Sequence, residues 1–380
     1  MRTRLIVSVS LFATAVFLLP GSGPAQPKEN DDEVKAAVEK AVAYLKKSQN
    51  EDGSWSAPTQ NRGVTGIVVV GLIRTGAKAD EAPVAKGVKF IEGLVNEKSG
   101  HIAGNDDKAS QINYTTSINI MALDAANKGD KYKGAIKNAT KYLKEYQWDE
   151  ARGKTKDSDY YGGAGYAGDK SRPDLSNTAF FLEALKTAGV AKDDPAFSKA
   201  VVFVSKCQNF ESEHNSAPWA KKTNDGSFIY TGANGGENRR TDGDGRKTDL
   251  GGYGSMTYAG IKSMIYCGVG KDDPRMKKAL EWIGKNYTLD ANPGMPEENS
   301  QRGLYYYYHT FAKCMDALGS DTFTDAKGVK HDWRADLRAA ILKRQKPDGS
   351  WTNGTGNWME NDANLDTGYT LMALGYCKKK

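Results

Sequence analysis

The feature that most constrains the fold is an internal repeat. Six segments, ending at Leu72, Leu123, Leu185, Met264, Leu318 and Leu374, align on their last apolar residue. Seven residues before that anchor stand Thr65, Thr116, Thr178, Thr257, Phe311 and Thr367, so all copies but the fifth carry Thr. Immediately before the anchor lie Gly71, Ala122, Ala184, Ser263, Ala317 and Ala373, all small, and three before it Val69, Ile120, Leu182, Ile261, Met315 and Leu371, all apolar. A fixed-period repeat of this kind means one supersecondary unit stacked on copies of itself.

The repeated segments are apolar or small nearly all round, as expected of helices packed on several sides, and read as inner helices. Small side chains at a fixed position let neighbouring backbones approach closely. Each inner segment is preceded by a more polar, periodic one: 31–49, 81–95, 131–147, 194–208, 273–286 and 332–345. In the first of these, Val34, Ala37, Val38, Ala41 and Leu45 form one apolar stripe opposite Lys35, Glu39 and Lys46, the pattern of an outer helix. Asp194-Pro195 and Asp273-Pro274 supply a capping Asp and a first-turn Pro. Six such hairpins could stack as an open superhelix or close as a ring. An open array needs polar end repeats, and the first and last inner segments are as apolar as the middle ones, which favours closure.

Between outer and inner helix, the first copy carries Gln49-Asn50-Glu51-Asp52-Gly53-Ser54-Trp55 and the last Gln345-Lys346-Pro347-Asp348-Gly349-Ser350-Trp351. Weaker versions follow Gln147 (Tyr160-Tyr161-Gly162-Gly163) and Gln208 (Asn224-Asp225-Gly226-Ser227-Phe228). Gln ends the outer helix, Asp-Gly makes a tight turn, and the aromatic returns over the hairpin.

This pattern resembles the QW motif of squalene–hopene and oxidosqualene cyclases, and the resemblance extends to protein prenyltransferase β-subunits. It implies an all-α fold, an α/α-toroid of six helical hairpins over residues 26–380. Proton-initiated cyclases carry a DxDDTA-like segment in which one Asp is kept neutral to protonate an alkene or epoxide. The nearest match here is Asp174-Leu175-Ser176-Asn177-Thr178-Ala179, with Ser176 and Asn177 where the later acids would stand. Hydroxyl and amide groups cannot replace a carboxylic acid held protonated by burial. Asp174 also fits as a helix cap. Asp366 or Asp249 would have to substitute, and should then be buried against the cavity with a raised pKa.

In the prenyltransferases, Asp, Cys and His hold zinc. Tyr307-Tyr308-His309-Thr310 is similar to the segment bearing their His, and Asp249 precedes Gly251-Gly252-Tyr253, but no Cys stands beside it. With the thiolate missing, neither metal nor cofactor is expected. Asp242-Gly243-Asp244-Gly245 lacks the acid that would complete a calcium loop and reads as a turn.

Aromatic and polar residues gather at the inner-helix starts: Tyr253, Tyr305, Tyr306, Tyr307, Tyr308 and Trp358, with Asn177, His309 and Asp366. In a helical ring these starts line one mouth of a central cavity suited to an apolar, isoprenoid-type or sugar-like ligand. Segment 209–250, rich in Gly, Asn, Asp and Arg, is the longest interruption of the repeat. It is expected to cover that mouth, with Arg239, Arg240 and Arg246 meeting an anionic group, or to be a solvated insertion.

Arg2 and Arg4, the apolar run Leu5–Leu19 and Gly23-Pro24-Ala25 read as a signal peptide over 1–25, and hence an exported, periplasmic or extracellular protein. No later run is long enough to span a bilayer. The net charge of +6 is interleaved, without a long basic block, and a nucleic-acid partner is not expected. Cys207, Cys267, Cys314 and Cys377 lack CxxC spacing and read as buried thiols, with disulfides possible after export.

Three functions remain open. One is an enzyme related to terpenoid cyclases. Another is a non-catalytic toroid binding a lipid or a protein. The third is a polysaccharide lyase-like enzyme with His309 and Tyr308 as its candidate pair.

Overall fold

The computed structural model describes residues 31–56, 62–105, 111–167, 171–240, 250–354 and 356–378. The expected signal peptide, Asp242–Gly245, Arg246 and Asp249 lie outside them. Within the described residues there are thirteen α-helices and one two-stranded sheet.

Six helices form the inner ring: α2 (Gly63–Thr75), α4 (Ile112–Ala125), α6 (Leu175–Thr187), α9 (Gly254–Tyr266), α11 (Leu304–Leu318) and α13 (Ala363–Tyr376). Each packs on the next in that order, and α13 packs on α2, so the ring is closed. The outer ring is α1 (Asp31–Ser48), α3 (Val84–Glu92), α5 (Lys133–Glu145), α7 (Pro195–Lys206), α10 (Pro274–Lys285) and α12 (Trp333–Leu342). The short α8 (Pro218–Thr223) lies in the long interruption between α7 and α9. An antiparallel hairpin of β1 (Thr322–Thr324) and β2 (Lys330–Asp332) precedes α12, a feature the helical pattern does not announce.

Burial follows the periodicity. Every residue of α9 from Gly254 to Met264 is buried, whereas α1 buries only Ala37, Ala41 and Leu45. The closing seam is tight because both faces are small: a Cβ on Gly71 would lie 2.8 Å from the Gly368 carbonyl oxygen.

The shared Thr has a structural job. Thr65, Thr116, Thr178, Thr257 and Thr367 each accept, through Oγ1, the backbone N–H of a residue returning from the preceding turn. These are Trp55 (3.1 Å), Ile102 (3.1 Å), Ala164 (3.0 Å), Phe228 (3.1 Å) and Trp351 (3.1 Å). A buried N–H left unpaired is costly, so the hydroxyl recurs. In the fifth copy Phe311 instead packs edge-on against Trp333 and Tyr287.

The turn Gln ties neighbouring hairpins. Gln49 Nε2 donates to Gly53 of its own turn (2.9 Å) and to Pro83 before α3 (3.0 Å). Gln147 bonds Gly162 and Ala196, and Gln208 bonds Gly226 and Arg275. Gln345 bonds Gly349 and then Ala37 of α1, which closes the outer ring.

All four cysteines are free thiols; Cys207, Cys314 and Cys377 are buried and Cys267 partly so. Among the described residues no helix is long and apolar enough to cross a membrane.

Candidate active site

The starts of the inner helices converge at one end of the ring around a cavity of about 250 Å³. From the helices come Tyr114, Ser176, Ser255, Met256, Tyr306, Leu365 and Tyr369, and from the connecting segments Gln111, Tyr166, Tyr230, Tyr253 and the run Trp358–Glu360. Tyr114, Ser176, Ser255 and Leu365 each stand two residues before the shared Thr, so the repeat aims that position at the axis.

The wall is aromatic, and its hydroxyls are largely occupied with one another. Tyr114 and Tyr369 pair at 2.9 Å, Ser176 and Tyr306 at 3.0 Å, and Tyr230 donates to Tyr166 at 3.4 Å. Burial raises the pKa of Tyr114, Tyr253, Tyr306 and Tyr369, so these phenols stay protonated.

Asp174 is the N-cap of α6, in extended backbone. Its Oδ1 accepts the Asn177 N–H (2.9 Å) and its Oδ2 accepts from Asn177 Nδ2 (2.8 Å). It is also fully buried, and burial, only partly offset by those hydrogen bonds, pushes its pKa to about 6. Its charge acts on Tyr166, Tyr230 and Tyr253 of the cavity wall. Cap and perturbed acid are thus one residue, and Asn177 is its clamp.

Asp366, in the first turn of α13, is fully buried; desolvation, and then the charge of Glu360, raise its pKa well above the usual range. Glu360 has no counterpart in the repeat, yet it lines the cavity. Burial pushes it to about 7, against hydrogen bonds from Asn353 and from the N–H groups of Gly303 (2.7 Å) and Tyr305 (3.2 Å). Trp358, 37% exposed, lines the cavity from left-handed backbone with φ 55°.

Of the rings expected at the mouth, Tyr305, Tyr307, Tyr308 and His309 do not line the cavity; Tyr307 donates instead to the Thr288 carbonyl at 2.7 Å. His309 stacks between Phe180 (6.2 Å) and Tyr369 (5.5 Å), and neither ring nitrogen has a partner among the described residues. Burial, with the charges of Lys262 and Arg74, holds it neutral. Tyr308 points away from the cavity and donates to the Leu289 carbonyl at 2.6 Å. The pair does not face a groove where a polymer could thread, because both rings are packed into the core.

The long interruption contributes Tyr230 to the wall. Its Arg239 bonds Glu237 (3.0 Å), which also takes Arg172 (2.6 Å), so this guanidinium is matched within the protein. No group of three or more His, Cys, Asp or Glu among the described residues is placed to hold a metal ion.

No family model matches the chain, and no curated protein does. Solved structures do. The type II terpene cyclase MstE from Scytonema, in its apo form, superposes with a TM-score of 0.57 at 14% identity, covering 90% of this chain and 97% of that one. A variant of the same cyclase in complex with geranylgeranyl dihydroxybenzoate gives 0.56 at 13% identity, over 91% and 97%. A glycosidase variant in complex with glucose gives 0.52 at 12% identity, over 92% and 99%. The chain therefore has the α/α-toroid fold shared by a type II terpene cyclase and a glycosidase. At such identities the likeness is one of fold, and the chemistry must be argued from the site.

Proposed function

We propose that this chain is an exported enzyme of the terpenoid-cyclase kind, which binds an isoprenoid-type molecule in the tyrosine-walled cavity and acts on it by acid catalysis. The observation that carries this reading is the presence of buried, protonatable carboxyl groups beside an aromatic cavity: burial pushes Asp174 to about 6 and Glu360 to about 7, and raises Asp366 well above the usual carboxylate range. Protonating an alkene needs a carboxylic acid kept neutral near working pH, and burial supplies that condition. The aromatic faces suit the positive charge that follows protonation.

The glycosidase-like alternative receives less support from the wall. A sugar needs free donors and acceptors around it, whereas Tyr114, Tyr369, Ser176, Tyr306, Tyr166 and Tyr230 are engaged with one another. The run Arg2–Leu19 supports export.

The test is native mass spectrometry of the purified protein with extraction of any bound lipid, followed by incubation with polyprenyl alcohols and polyprenylated phenols. A cyclised isomer of unchanged mass would support the reading. Bound isoprenoid without turnover would reduce it to a carrier, and sugar binding without isoprenoid binding would overturn it.

A further inference from the structure

Glu360 reaches the cavity at the end of an unusual turn. Trp358 and Met359, which precede it, both have left-handed backbone (φ 55° and 65°), a conformation bulky residues adopt only when their surroundings hold them there. The turn is tied at several points: the Glu360 carbonyl accepts from Thr352 Oγ1 at 2.8 Å, the Met359 carbonyl from the Asp362 N–H at 2.8 Å, and the Glu360 carboxyl bonds the start of α11. Oε2 accepts the Gly303 N–H, and Oε1 accepts those of Tyr305 and, at 3.5 Å, Tyr306.

Asp366 lies beside it, and Asn353 joins the two acids. The Asn353 side chain donates to Glu360 Oε2, and its backbone N–H reaches Asp366 Oδ2 at 3.4 Å. Asp366 Oδ1 is buried with no hydrogen-bond partner among the described residues. The other groups acting on Asp366 are Asp362, of the same sign, and Lys346; the phenol of Tyr305 feels both acids and Arg344. Two carboxylates so close and so buried cannot both ionise cheaply.

We infer that Glu360 and Asp366 form a coupled carboxyl pair that keeps at least one proton at neutral pH, and that Glu360, the member on the cavity wall, delivers a proton to the bound molecule. Asp366 is the positioning residue. In the step, the Glu360 O–H bond breaks while the alkene π pair forms a new C–H bond, leaving a carboxylate and a carbocation. After ring closure, a carbon next to the cation loses a proton to the Glu360 carboxylate. The result is an isomerisation that needs no co-reactant. Delivery rests on the isoprenoid reading of the cavity, but the pairing does not.

The pair is tested by infrared difference spectroscopy across pH 5 to 9, on protein carrying Asp174→Asn, which removes a third buried acid; Glu183 and Glu237, also buried, are paired with Lys262, Lys313 and Arg172. The protonated-carboxyl band should persist at pH 7 and titrate in two steps, and Asp366→Asn should remove one step and move the other. In parallel, Glu360→Gln in the otherwise unaltered protein removes the acid and keeps one acceptor oxygen, enough for either the Gly303 or the Tyr305 N–H but not for both. It should lower isomerisation by a factor of about 100 or more while the protein still melts cooperatively, at a somewhat lower temperature, and Asp366→Asn should shift the pH profile of the activity. Absence of the band at pH 7, or full activity of Glu360→Gln, would overturn the inference. A protein that shows the band but turns over no isoprenoid would overturn delivery and the proposed function, and leave the pair standing.

Discussion

The Nε2 amide of Gln345 donates to the carbonyl of Ala37 at 2.8 Å, across a sequence separation of 308 residues. With it comes Gly349, at φ 90°, lying so close on α1 that an added Cβ would stand 2.5 Å from the Lys40 carbonyl oxygen. The last turn thus treats α1 as the next outer helix in the series, and the series becomes a ring.

Gly349→Ala therefore meets two penalties. The left-handed backbone costs any L-residue about 1–2 kcal/mol, and the backbone clash adds about 1–3 kcal/mol more. Gly129 is the control: at φ 60° with nothing within 4 Å, Gly129→Ala carries the backbone cost alone. Urea unfolding midpoints should fall further for Gly349→Ala than for Gly129→Ala. Equal falls would mean that the ring end yields without cost.

Thr257→Val removes the acceptor of the Phe228 N–H at almost unchanged volume and should destabilise by about 1–3 kcal/mol. Thr257→Ser keeps the hydroxyl and loses one buried methyl, for about 1 kcal/mol. If calorimetry ranks Val as the milder change, the repeated Thr is conserved among the copies for packing and not for its oxygen.

The repeat was legible in sequence because one physical problem, closing a hairpin with buried backbone, recurs in every copy and draws the same Thr, Gln and Gly. Closure was only suggested, since it depends on Gln345 meeting Ala37. The site was less legible for the opposite reason: it uses each position differently. Asp366 stands in the sixth copy where Asn177 stands in the third, and Tyr114, Ser176, Ser255 and Leu365 share one register but no chemistry. Glu360 follows an irregular turn with no period to expose it. Tyr308 and His309 looked like site residues because their segment is similar to the one bearing the prenyltransferase His, and a run of polar aromatics does not reveal which faces turn inward.

Farther along the inner ring, Glu183 of α6 pairs with both Lys262 of α9 (2.7 Å) and Lys313 of α11, all three buried. One carboxylate faces two ammonium groups, and burial lowers the pKa of Lys262 to about 8 and that of Lys313 well below its usual value. Glu183→Gln strands both cations and should destabilise by about 3–5 kcal/mol at pH 7. Lys313→Met removes the surplus charge and leaves one matched pair, so it should be close to neutral. A thermal melt showing the two variants equally damaged would contradict this accounting of charge.

The buried acid Asp174 makes stability depend on pH in a definite sense. Its folded pKa, about 6, lies above the ordinary value near 4, so between those values the folded protein holds a proton that the unfolded chain has released. Stability contributed by this group is therefore fully present below pH 4, falls as pH rises through 6, and by pH 8 is lower by on the order of 3 kcal/mol. Asp174→Asn retains a residue competent to cap α6 and abolishes the titration. The variant loses the bond pattern with Asn177 as a fixed offset at every pH, so only the trend is diagnostic. Unfolding free energies of the two proteins should approach one another, or cross in favour of the variant, as pH is raised from 4.5 to 7.5. Parallel curves would show that Asp174 ionises as readily in the folded protein as in the unfolded chain, and would remove it from the acids available to the cavity.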